Sequence, residues 1–230
     1  MQTQDAPAEL IFKFWPWFEA NRKRLIIAGV AAVVGGFVWF YISTQKQQAE
    51  QDAGLSYTQL QLSMPPNPTT QQVVDGYLKI AGKYAGTLAG QRARLQAGAL
   101  QFGAGNYADA QTQFQSFLTA ETGSPLAALA RMGVASSLEA QGKLDDALAA
   151  YRAVVAGFPD STDAIVAKFS QGRVLELQGK LSEAVTFYQD AARSPLAGSL
   201  ASEAGKRIAL IQVKLASAKP AIKAAPATKS

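Results

Sequence analysis

A chain of 230 residues with 48% hydrophobic content, 19 glycines and 10 prolines has room for one folded domain beside a membrane segment. It contains no cysteine and no histidine, which excludes disulfides, thiolate chemistry, Cys-based metal sites and the commonest general base and zinc ligand. The net charge is +5, yet residues 50–214 hold 14 basic and 14 acidic side chains, so the folded part has no basic stripe for a phosphate backbone and nucleic acid is excluded as a partner.

Residues 1–24 contain Leu10, Ile11, Phe12, Phe14, Trp15, Trp17 and Phe18 and read as an amphipathic segment at a membrane surface, broken or kinked at Pro16. Residues 25–42, LIIAGVAAVVGGFVWFYI, carry no charge or amide. As a helix they extend about 27 Å, close to the hydrocarbon thickness of a bilayer, and predict a single span. Arg22, Lys23 and Arg24 precede the run, which places the amino end in the cytoplasm and residues 43–230 outside. Trp39, Phe40 and Tyr41 form a collar at the outer interface. A cleaved signal peptide fits less well, because 24 residues precede the apolar run and no A-x-A pattern follows it. Ala28, Ala32 and Gly36 recur every fourth residue and mark a face on which a second membrane helix would pack closely.

Residues 43–64 hold good helix formers and predict a polar connecting helix that stops at Pro65–Pro68, with Thr69 or Thr70 capping the next one. Three segments then align at a spacing of 37 residues. A glycine recurs at Gly105, Gly142 and Gly179, followed by a small residue at Ala110, Ala147 and Ala184 and an aromatic at Phe114, Tyr151 and Tyr188. A second small position holds Gly98, Ala135 and Gly172, and the register extended backwards lands on Tyr77. The units fall at 91–124, 128–161 and 165–198, with a degenerate leading unit at 52–85. Within 65–215, a last helix at 199–215 buries Ala204, Ile208, Ile211 and Leu215 and turns Lys206, Arg207 and Lys214 to the other side, as a solubilising cap. Residues 216–230, rich in Ala, Pro and Lys, read as a disordered tail.

The pattern resembles the tetratricopeptide repeat family, in which each unit is a pair of antiparallel helices. It departs from that family at Arg94, Arg131 and Lys168, which replace an early tryptophan, and in keeping a terminal proline in one unit, as Pro159. The resemblance implies an all-α solenoid of about four pairs, whose first helices line a concave, protein-binding face. Its groove positions fall on Arg92, Leu95, Ala99 and Phe102; on Leu129, Met132, Ser136 and Glu139; and on Val166, Phe169, Arg173 and Glu176. The Lys and Asn with which some members clamp a terminal carboxylate are missing here. The result is a largely apolar groove with a polar end at Arg173, open to partners or filled by the connecting or cap helix.

No catalytic arrangement is present. Asp145 and Asp146 are adjacent and diverge on a helix, and the Gly-x-Gly at Gly103–Gly105 follows no strand. The chain reads as a non-enzyme without a cofactor. The order of parts further resembles the ancillary subunits of the bacterial SecYEG translocon, chaperone-like periplasmic proteins of the inner membrane. KYAGTLAGQRARLQAG and SPLAGSLASEAGKRIALIQ are similar to that family's entry into its first repeat helix and to its closing helix. This resemblance implies translocon subunits, a membrane-anchored periplasmic chaperone and translocating polypeptides as partners. A scaffold of another cell-envelope complex is the alternative.

Overall fold

The computed structural model describes the backbone of residues 6–218 and the side chains from Trp17 onward. Among these residues there are nine helices and no strand. They are α1 (Ala6–Ser63), α2 (Thr70–Lys83), α3 (Leu88–Gly103), α4 (Tyr107–Ala120), α5 (Ala127–Ala140), α6 (Leu144–Gly157), α7 (Thr162–Leu177), α8 (Leu181–Ala192) and α9 (Ser199–Ala218). The chain divides into two compact units, Met1–Asp52 and Ala53–Ser230.

The first unit is the greater part of α1, which is long and apolar enough to cross a membrane, with none of its most apolar stretch buried. Ile27, Val33, Phe37 and Trp39 are each more than two-thirds exposed. The helix runs through Pro16 without the break that was one of the two expectations there. Proline removes one donor from the ladder, and the helix continues past that single loss. The compositional changes at residues 24–25 and 42–43 therefore lie inside one helix and are not ends of elements. Ala28, Ala32 and Gly36 are exposed along it.

The second unit stacks helix pairs. The last turns of α1 supply Ala53, Tyr57 and Leu60 to a core with Val74, Tyr77 and Ile80 of α2, and the Tyr57 and Tyr77 rings stand 4.9 Å apart. Leu60 lies over Gly76, so a Cβ there would push the leucine's terminal methyls aside. Thr69 caps α2 with a full capping box to Gln72. The pairs α3–α4, α5–α6 and α7–α8 follow, and α9 packs on α8.

The periodic glycines explain the turn inside each pair. Gly105, Gly142 and Gly179 have φ of 83°, 75° and 76°. At each, the following residue's N–H bonds back to the carbonyl five residues earlier: Asn106 to Gln101, Lys143 to Leu138 and Lys180 to Leu175, at 2.9–3.0 Å. Three copies of one helix stop result, each needing a residue that tolerates the left-handed region.

The aromatic and small positions meet as the repeat register implies. The Phe114 ring lies against Gly98 of its own pair and the Tyr188 ring against Gly172. Phe114 also touches Gly133 of the following pair, where an added Cβ would sit 2.6 Å from the ring. Tyr151 and Tyr188 are fully buried, as is Phe117. Helix α9 continues to Ala218, so residues 216–218 are helical where a tail was expected; residues 219–230 lie outside the described residues.

Candidate functional site

The first helices of the pairs line one concave groove of about 900 Å³. Arg92, Leu95, Ala99 and Phe102 of α3 form one wall, and Leu129, Met132, Ser136 and Glu139 of α5 the other. All eight stand at positions assigned to the groove from the repeat register. Each set recurs at helical spacing, so one face of each helix faces the same space. Leu129 is half exposed, Met132 and Phe102 half-buried, and Leu95 buried. The walls can take up apolar side chains.

Of the third set, Arg173 alone reaches this groove, joined by Leu177. Phe169 is buried, with its ring 5.0 Å from that of Tyr188, and Val166 is half-buried away from the groove lining. Glu176 is taken by the cap helix: Arg207 Nη1 lies 3.6 Å and Lys214 Nζ 3.5 Å from its carboxylate. Arg207 is thus turned toward the stack, contrary to the sequence expectation, while Lys214 reaches Glu176 from an exposed position. Arg207 is three residues after buried Ala204 and four before buried Ile211, which puts all three on one helical face.

The polar end has a repeated construction. The Glu139 carboxylate accepts from Arg173 Nε at 2.6 Å and Nη2 at 2.8 Å, and from the Tyr151 hydroxyl at 2.8 Å. The Tyr151 hydroxyl is also 3.1 Å from Ser136 Oγ. One unit later the Tyr188 hydroxyl donates to Glu176 at 3.1 Å, and Arg207 takes the place of Arg173. One unit earlier the same positions are Phe102, Phe114 and Ser136, so no ion pair is built there. Burial first, with the Glu139 and Glu176 charges in support, pushes the Tyr151 and Tyr188 hydroxyls above their ordinary pKa. Hydrogen bonding to Glu139 holds Arg173 more firmly charged than a free arginine.

Tyr57, at the end of α1, also lines the groove. Burial, and then the neighbouring Tyr77, push its pKa up to about 12. Sequence reasoning passed over it, although it stands one period of 37 before Arg94, at the position where the family has its early tryptophan. Gly133 was missed too. Its register equivalents, Gln96 and Ser170, share nothing with it, so no periodic signal existed. Among the described residues no cluster of acidic side chains is arranged to hold a metal ion.

No curated protein matches the chain in sequence. Among solved structures it is similar to PcrH from Pseudomonas aeruginosa, at 19% identity over 55% of this chain and 94% of that one, with a TM-score of 0.48. A structure of PcrH in complex with the chaperone binding region of PopD matches at 21% identity, over 56% of this chain and 97% of that one, with a TM-score of 0.47. TPR-like repeats from Podosopora anserina match at 13% identity, over 75% and 98%, with a TM-score of 0.49. Residues 16–219 match the tetratricopeptide repeat-like domain family, to which this chain therefore belongs.

Proposed function

We propose that the chain is a membrane-anchored protein-interaction module that holds segments of other polypeptides in its groove, as a chaperone-like ancillary subunit of the bacterial protein translocon. The observation that carries the interaction role is the groove between α3 and α5, whose walls present Leu129, Met132 and Phe102 to solvent beside a charged end at Arg173. A space of about 900 Å³ accommodates several side chains of a bound segment. The exposed apolar stretch of α1 and the basic residues before it support an anchor at the inner membrane, with residues 1–24 cytoplasmic and the helix pairs periplasmic. Anchoring raises the local concentration of the groove beside a membrane-bound partner, so weak contacts suffice. The order of parts supports the translocon as that partner.

The test is photo-crosslinking in living cells from a reactive residue at Met132, with products identified by mass spectrometry. Many secreted polypeptides together with translocon subunits are expected. One stoichiometric envelope protein in their place would replace this reading with that of a scaffold.

A further inference from the structure

The groove is unevenly charged. Its charged side chains are Arg92, Glu139 and Arg173. Glu139 accepts from Arg173 and Tyr151 and is largely buried, so its charge is cancelled where it stands. Arg92 is exposed on α3 and takes part in none of the ion pairs among the described residues. It acts on Tyr57, which stays neutral at any ordinary pH and offers no counter-charge. From Arg92 the α3 wall descends through Leu95, Ala99 and Phe102, a run of about 15 Å along the helix axis. An extended segment covers that distance with roughly four or five residues.

We infer that the groove selects polypeptide segments in which an acidic residue borders a short apolar run, the carboxylate pairing with Arg92 and the apolar side chains entering between Leu95, Phe102, Leu129 and Met132. This rests on the reading of the groove as a polypeptide-binding site. Arg173 cannot play the same part freely, because two of its nitrogens are committed to Glu139. The chain's own residues 219–230 do not meet the requirement, since they carry Lys219, Lys223 and Lys229 and no carboxylate side chain.

The test uses the full chain in detergent micelles and fluorescence anisotropy with labelled synthetic peptides. All share one leucine- and phenylalanine-rich run, flanked by aspartates, by serines or by lysines. The aspartate peptide should bind roughly fivefold more tightly than the serine peptide, and the lysine peptide most weakly. Raising the salt should narrow the spread. Arg92→Glu should reverse the order without moving the thermal midpoint, because Arg92 is exposed; partition of the peptide into micelles would not follow that substitution. Equal binding of all three peptides to the wild-type chain would overturn the charge preference and leave the groove reading in place. Equally tight binding of a peptide whose apolar run is replaced by serine and glycine would overturn the groove reading itself.

Discussion

Arg173 links two helix pairs through one carboxylate. Its partner Glu139 has a side chain 11% exposed, against 40% for the arginine. Removing the arginine strands a nearly buried charge, whereas removing both groups does not. Arg173→Ala should lower the stability of the chain by about 1–2 kcal/mol, discounted for the exposure of the arginine. Adding Glu139→Gln should recover part of that loss, and urea midpoints of the two single variants and the double variant read the coupling. A different residue, Gly133, is set by shape. An added methyl there meets the face of the largely buried Phe114 ring, which would have to shift, so Gly133→Ala should cost about 1–3 kcal/mol by the same measurement. Single residues were the least legible part of the sequence. Eight groove positions could be read from the register, while Gly133 depends on a neighbour in the preceding unit and the inward face of Arg207 was obscured by its charge. Helical spacing alone would have placed Arg207 correctly.

At the scale of elements, the tyrosines of α6 and α8 report how the helices meet. Each stands inside its own pair and donates from its tip to a glutamate on the preceding helix. In the unfolded chain a tyrosine ionises near pH 10. Here Tyr151 and Tyr188 are raised above 10.0, and Tyr57 to about 12, so the folded state holds these protons more firmly. That contribution is whole below pH 10 and is lost as the pH climbs through the raised values. The urea midpoint should therefore fall between pH 10 and 12, and Tyr188→Phe should shallow the fall. Element ends were legible where chemistry forces them. The stop before Pro65, the cap at Thr69 and the left-handed glycines in the turns each follow from a backbone requirement. Pro16 ends no element, because proline at a single position removes one hydrogen bond and the helix continues past it.

The whole molecule has a segmented core. One cluster joins the end of α1 to α2 and α3, a second lies between α3 and α5, and the third runs from α5 to α9. The third holds 17 buried residues across five helices against eight and five in the others, so the longest continuous core lies toward the carboxyl end. Stability in a stacked array follows such local interfaces. Native-state hydrogen exchange should find amides of α7 and α8 at least about tenfold slower than those of α2. Repetition made the architecture legible, since the register of 37 predicts every pair from one. It reached the front of the array only through the degenerate unit at Tyr77, and the cap helix lies outside the repeat, so its contacts could not be read from the register. The consequence of Arg207 lies there. A further unit would bring its arginine to position 210, where the chain has leucine, and the cap delivers its own three residues early, nearly one helical turn. The carboxylate that would receive another unit is already occupied from within the same chain. A further unit stacked there would have to displace Arg207 and Lys214 from Glu176 before an arginine of its own could pair with it.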